Sequence, residues 1–381
     1  MKTDYNKWCI FLRSLPIGGV ERQFSTLVNL LATKREVHLV TLYDSSDRAA
    51  ELLDDTVEYA YLCNRVDRGK TPPGLLLLAP IRLREYCKAN QITVLYSARD
   101  LANLIAALAC LRLPKVRLLW GHRSSKHNLS WRIRALLPLC RMVQGGVYCE
   151  VSNNFEGIAF YRSLGLCRGK TKRVVNFLDR ARFSISEGSR AKMRHEWGER
   201  PETVLVGLVG RVAHMKNQDG FLRAASLVAP IFPGVKFYVI GPMTPSARAS
   251  IEQQASSLSL RGRVIVKTEV DMQSMPGVFN ALDVICSTSL YGEGFCNTLA
   301  EAMACGCRAI GTDIGATREI ISDSGEVVTA GDDEAYAAAL IKTLNGLKGG
   351  RSVKARAHIL SICDDDSTLR EVMDLGEVCS D

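Results

Sequence analysis

No apolar run in the 381 residues approaches the roughly 18 that a membrane-crossing helix needs. Two such runs, 75–79 and 104–111, are too short to span a bilayer and read as core helix segments. The opening residues, Met1 to Trp8, lead into no apolar signal core, so a cytoplasmic chain is the expectation. None of the thirteen cysteines forms a CxxC pair, which argues against a zinc site and a disulfide framework and for free thiols in a reducing compartment. Repeats, low-complexity tracts, a metal-ligand cluster and a serine-hydrolase elbow are also missing, and no bound metal is expected. Acid is absent in one place. From 101 to 149 there is no Asp or Glu, while Arg112, Lys115, Arg117, Arg123, Lys126, Arg132, Arg134 and Arg141 all fall there. The excess behind the net charge of +9 therefore sits in the first half. Such a face suits an anionic membrane surface, an anionic acceptor or nucleic acid.

What is present is ordinary for a soluble enzyme: 47% hydrophobic and 23% charged residues, with length enough for two cores. The chain opens as strand, loop, helix, strand (8–12, 20–32, 37–42), with Pro16-Ile17-Gly18-Gly19 as the turn. Gly18 and Gly19 would let a ligand approach the backbone, although a tight turn alone explains them as well. Strands at 92–96 and 116–120 flank a helix at 101–111. Gly121-His122-Arg123-Ser124 then forms a polar loop at a strand's carboxyl end, where open α/β sheets place ligands. His122 is thus a site candidate, and Arg123 a candidate for an anionic group, as are Arg132 and Arg134 on the amphipathic segment 130–143. Pro138 weakens that segment as one helix. A polar stretch near 184–202 marks a domain boundary close to residue 180.

The second half is organised around 284–319. Val284 to Ser287 is a short buried strand, Gly292 and Gly294 break it, and Asn297 to Ala304 reads as a helix closed by Gly306. A helix start beside glycines offers free N–H groups and a positive dipole end to an anion. Glu293 lies in the loop and Glu301 in the helix. Upstream, Gly210-Arg211-Val212-Ala213-His214-Met215-Lys216 follows the strand 203–208 and carries two cations suited to a diphosphate.

Glu293-Gly294-Phe295, Glu301 after seven residues counted from Glu293, Ala302-Met303-Ala304-Cys305-Gly306, and then Thr312-Asp313-Ile314-Gly315 with Glu319 resemble the signature of family-4 retaining glycosyltransferases. Cys296 stands where that family has Gly or Pro, and Arg308 where Pro is usual. The resemblance implies a GT-B architecture: two doubly wound, Rossmann-like domains facing across a cleft. The acceptor-side domain would be 1–180 and the nucleotide-sugar domain 181–350. A helical tail, 351–381, would cross back to the first. It implies a diphosphate clamp at Arg211 and Lys216 and donor contacts from Gly18, Gly19, Gly294, Phe295, Cys296 and Asn297. Glu301 would hold ribose hydroxyls, Glu293 sugar hydroxyls, and Thr268 would lie beside the nucleobase. His122 would face the donor sugar. In the link 173–179, Phe177 replaces a usual glycine. The expected reaction is metal-independent, retaining hexosyl transfer from a nucleotide-diphosphate sugar to a saccharide or lipid-linked saccharide in cell-surface polysaccharide synthesis. The nucleotide sugar is a co-substrate and no cofactor is expected. A nucleotide-sugar epimerase and a non-catalytic partner subunit share the fold and stay open. Nucleic-acid binding ranks last, because no stacking motif accompanies the charge.

Overall fold

The computed structural model describes residues 6–15, 18–64, 73–125, 129, 131–268, 270–347 and 349–377. The turn residues Pro16 and Ile17, with Lys126 and Ser130, lie outside them. The chain forms two compact units, Met1–Phe177 with Asp365–Asp381, and Leu178–Asp364.

Unit 1 alternates strand and helix: β1 (Trp8–Leu12), α1 (Gly19–Ala32), β2 (Val37–Tyr43), α2 (Ser46–Leu52), β3 (Glu58–Cys63), α3 (Pro73–Ala89), β4 (Val94–Ala98), α4 (Asp100–Cys110), β5 (Arg117–His122), α5 (Trp131–Val143), β6 (Cys149–Ser152), α6 (Phe155–Ser163) and β7 (Thr171–Arg173). All strands are parallel in the order β3-β2-β1-β4-β5-β6-β7. The sequence of β1 shows why. Its five residues are all buried, and successive side chains point to opposite faces. Trp8, Ile10 and Leu12 pack with Phe24, Leu27 and Leu31 of α1. Cys9 and Phe11 pack with Ala79 and Leu83 of α3 and Ile105 of α4. The helices after the neighbouring strands β1 and β4 thus leave on opposite faces. That is the topological switch point at which open α/β sheets bind ligands.

Unit 2 contains α7 (Glu187–Glu196), β8 (Leu205–Val209), α8 (Gln218–Val228), β9 (Lys236–Ile240), α9 (Pro245–Ser257), β10 (Val264–Lys267), α10 (Met275–Ala281), β11 (Val284–Ser287), α11 (Asn297–Ala304), β12 (Arg308–Thr312), α12 (Thr317–Ile321), β13 (Glu326–Val328), α13 (Asp333–Asn345) and α14 (Val353–Ile362). Its parallel order is β10-β9-β8-β11-β12-β13. One face buries Val206, Leu208 and Cys286 under Phe221 of α8, Ile251 of α9 and Leu340 of α13. On the other, Leu299 of α11 and Ile321 of α12 crowd against Gly311. The switch here falls between β8 and β11.

Four details differ from the sequence reading. Strand β4 starts at Val94, because Ile92 N–H closes the turn after α3 on the Cys87 carbonyl (2.9 Å). Strand β5 runs on through His122, which pairs in register with Ser152, so His122 is not in a loop. Pro138 sits inside an unbroken α5. The tail divides at 364/365: α14 belongs to unit 2, and only α15 (Asp365–Gly376) joins unit 1. There Leu369, Val372 and Leu375 enter the core beside Trp8. Phe177 needs no glycine's freedom. Its backbone is held from both sides by Gln23, whose Oε1 accepts from Phe177 N–H (2.7 Å) and whose Nε2 donates to the Phe177 carbonyl (2.9 Å).

Candidate active site

In unit 2 the loops after β8 and β11 meet at the switch point and are stitched together. Thr288 Oγ1 donates to the carbonyls of Lys216 (2.8 Å) and Asn217 (3.0 Å), and Leu290 N–H reaches the Met215 carbonyl at 2.8 Å. This joins two side chains 77 positions apart, because the Lys216 ammonium donates to Glu293 Oε2. Ser289 Oγ donates to the same oxygen at 3.1 Å. Burial is the largest influence on Lys216 and opposes its charge, but the neighbouring groups together, Glu293 foremost, hold the ammonium above the ordinary lysine value. Arg211 lies exposed on the same loop, with its guanidinium 4.0 Å from the Met215 sulfur and no ion pair among the described residues.

The loop carrying Glu293 is fixed by a backbone contact that only glycine permits. Gly315 sits at φ 63°, and a Cβ there would lie 2.2 Å from the Glu293 carbonyl oxygen. The next residue, Ala316, donates its N–H to the Gly294 carbonyl (2.9 Å). Phe295 and Cys296 are buried, and α11 begins at Asn297 with Glu301 one turn along, also buried. Burial raises the Cys296 thiol and Glu293 adds to the shift, so Cys296 is no thiolate at neutral pH. Thr268 follows β10, at the far edge of this sheet from β13. Lys216, Glu293 and the start of α11 are thus brought together, with Arg211 on the loop beside them.

Unit 1 redistributes the predicted residues. Gly18 is the extended residue before α1, with Gly19 its first. The buried carboxylate of Glu21 folds back over it, and a Cβ on Gly18 would meet Glu21 Oε2 at 2.5 Å. Glu21 Oε1 is held by Arg99 Nη1 at 3.3 Å. His122 is only 2% exposed. Its Nε2 lies 2.7 Å from Glu150 Oε2, its ring stacks on Tyr161 at 4.0 Å between centroids, and Cys167 Sγ approaches Glu150 at 3.2 Å. A ring so enclosed is part of the unit 1 interior, which does not fit the sugar-facing role expected of it. Nor is Arg123 an open anion fork. Its guanidinium lies 4.7 Å from the centre of the Phe24 ring and donates to Tyr96 Oη (2.7 Å) and Asn176 Oδ1 (3.4 Å). Arg134 is exposed on α5, while the Arg132 side chain lies outside the described residues. Sequence reasoning missed Glu150, Ser289 and Arg99. The first two carry no motif, and the backbone setting of Arg99 leaves no trace in residue type.

Two doubly wound parallel units, each with a switch point in its sheet, define the class. Residues 189–357 match the family of group 1 glycosyl transferases. The chain is 32% identical over 179 residues to the D-inositol 3-phosphate glycosyltransferase of Mycobacterium ulcerans, covering 45% of this chain and 38% of that protein. It is 26% identical over 166 residues to the lipopolysaccharide core biosynthesis mannosyltransferase LpsB of Rhizobium meliloti, covering 42% and 46%. The chain thus spans less than half the length of these curated relatives. Among solved structures, Anabaena Alr3699/HepE in complex with UDP superposes with a TM-score of 0.79 at 17% identity, over 97% of this chain and 98% of that one. The sucrose-phosphate synthase of Thermosynechococcus elongatus gives 0.78 at 17%, over 97% and 98%. The GT-B fold is therefore borne out, and so, at the level of the group 1 glycosyl transferases, is the resemblance read from the motif.

Proposed function

We propose that the chain is a glycosyltransferase that moves a hexosyl group from a nucleotide-diphosphate sugar to an acceptor hydroxyl with retention at the anomeric carbon. The observation that carries this reading is the convergence of Lys216, Glu293 and the start of α11 at the unit 2 switch point. A sugar leaving a diphosphate develops positive charge at its anomeric carbon and negative charge on the departing phosphate. Arg211, Lys216 and the N–H groups of Gly294 and Phe295 take the phosphate side. Glu293 accepts from sugar hydroxyls and Glu301 from ribose hydroxyls, both as ionised acceptors. Asn297 and Cys296 shape the phosphate pocket, Thr268 borders the base, and Gly18 and Gly19 admit the donor from unit 1. With two cations on one loop, no metal is called on. Retention without an evident nucleophile means attack from the face that the phosphate leaves. The names of the relatives favour a polysaccharide or glycolipid product.

The test is a thermal-shift panel of UDP-, GDP-, ADP- and dTDP-sugars, with Arg211→Ala and Glu301→Ala alongside. One nucleotide should raise the melting temperature of the parent and neither variant should respond. Chelator should leave turnover unchanged. Silence from every nucleotide in folded protein would sink the donor site, and donor consumed with no acceptor present would favour the epimerase.

For the acceptor we favour a lipid-linked saccharide at the cytoplasmic face of the cell membrane. No helix among the described residues is long and apolar enough to cross a membrane. On α5, however, Trp131 is 75% and Met142 80% exposed beside Arg134 and Arg141. Apolar and cationic side chains together on one helix suit an anionic lipid surface. Charge reversal at Arg132 and Arg134 should abolish sedimentation with anionic liposomes and spare nucleotide binding. Unchanged sedimentation would exclude this face.

A further inference from the structure

Arg99 occupies a backbone conformation that almost only glycine adopts. Its φ is 76° and its ψ 152°, a region forbidden to side-chain-bearing residues unless the surroundings force it. The surroundings do force it. Arg99 N–H is held by the Gly121 carbonyl at 3.1 Å, and its own carbonyl accepts from Asn103 N–H at 2.9 Å as α4 begins. Asn103 is fixed in turn, with Nδ2 donating to the Gly121 carbonyl (3.2 Å) and Oδ1 accepting from Ser97 Oγ (2.9 Å). The strained residue stands one position beyond β4, beside β1, at the switch point of unit 1. Packing has no use for its side chain, which is 65% exposed. The only side-chain partner it has among the described residues is Glu21 Oε1, at 3.3 Å. A guanidinium has five N–H donors, so most of the fork is open. The other nearby acid, Asp100, accepts from Tyr161 Oη at 3.3 Å. The next 49 residues of sequence carry no acid.

We propose that Arg99, steered by Glu21, is an acceptor-specificity residue that grips a phosphate on the acceptor. A planar fork takes two phosphate oxygens side by side. Glu21 is the buried brace that sets the fork's direction from above Gly18. Arg99 takes over the anion-binding role that sequence pattern had offered to Arg123, which is spent on Tyr96, Asn176 and Phe24. The inference rests on the glycosyltransferase reading, and it concerns a group that touches the acceptor and leaves donor binding alone.

Arg99→Gly separates this role from a structural one. Glycine adopts the backbone without strain, so the variant should melt no lower than the parent. Binding would be followed calorimetrically on the whole chain with two matched pairs of probes: glucose 6-phosphate against glucose, and phosphatidylinositol against diacylglycerol in the same detergent micelles. The parent should prefer a phosphorylated probe by at least about tenfold, and Arg99→Gly should erase the preference while its thermal shift with nucleotide sugar stays that of the parent. Arg99→Lys should restore part of the preference, since it returns the charge without the fork. Preference within the soluble pair identifies a free sugar phosphate, and preference within the micellar pair alone a lipid headgroup. A phosphate preference that survives in Arg99→Gly, or none in the parent, overturns the proposal. So does a variant that melts well below the parent, since Arg99 would then serve only to neutralise Glu21. Failure of the nucleotide panel is a separate result that removes the transferase reading itself.

Discussion

Replacing Lys216 by alanine should lower kcat/KM for sugar transfer by about 10²–10³-fold, the usual cost of removing one preorganised donor from a developing oxyanion. The ammonium is largely enclosed, and water replaces it poorly. Its partner shows what the resting site is balancing: Glu293 Oε2 takes both Lys216 and Ser289 Oγ, so the alanine variant leaves a mostly buried carboxylate with one hydroxyl. Stability should fall as well, by roughly 1–3 kcal/mol for an under-satisfied buried acceptor. The two effects come apart in the double variant. Lys216→Ala with Glu293→Gln should regain most of the lost stability, because a neutral amide tolerates the gap, and regain none of the activity. Steady-state kinetics and thermal melts of the four proteins measure both. Transfer within about threefold of the parent would show that Lys216 does not meet the leaving phosphate. The sign of the pH effect follows from the raised Lys216 value. The stability that Lys216 contributes through its raised value is fully present below the ordinary lysine value of about 10.4, and fades as pH rises through the higher folded value.

The sheets were legible because both faces of each are covered. Runs such as Trp8–Leu12 and Val284–Ser287 are buried throughout and stand out as unbroken apolar segments. Loop residues were legible where the backbone demands a residue type. Gly315 is one, since any Cβ there collides with the Glu293 carbonyl. Legibility failed where a side chain's partner lies far along the sequence. Nothing near His122 announces Glu150, 28 residues on, and without that acid a histidine at a strand's end reads as a ligand-facing group. Arg123 failed likewise, because Phe24 comes from α1, Tyr96 from β4 and Asn176 from the link after β7. The stretch 184–202 looked like a polar, helix-broken boundary, yet it holds α7. Mean apolarity cannot reveal a helix anchored by an arginine, and Arg194 is 2% exposed.

That arginine leads to the largest stability change we expect. Asp283, the residue before β11, is the common acceptor of a mostly buried network. Arg190 Nη2 reaches Oδ1 at 2.6 Å, and Arg194 Nη2 and the Leu205 N–H reach Oδ2 at 2.7 and 2.8 Å. Leu205 begins β8, so one carboxylate ties together the starts of the two strands whose far ends carry Lys216 and Glu293. Arg194 spends its other donors on the carbonyls of Ala281, Arg200, Pro201 and Thr203. Burial already pulls its guanidinium below the ordinary arginine value, Arg190 pulls the same way, and Asp283 is the main opposing influence. Asp283→Asn keeps the shape and removes the charge, leaving two arginines facing each other with one weak acceptor. Breaking a buried pair from one side costs about 3–5 kcal/mol. In a unit of this size each kcal/mol is worth about 2–4 °C, so its calorimetric transition should fall on the order of 10 °C. An exposed pair such as Arg248 with Glu252 on α9 is the control, since its loss should change stability by less than about 1 kcal/mol. Should Asp283→Asn melt with that control, the network would be a surface arrangement in solution. β8 and β11 would then have to be aligned by their apolar faces alone, with the site loops correspondingly less tightly placed.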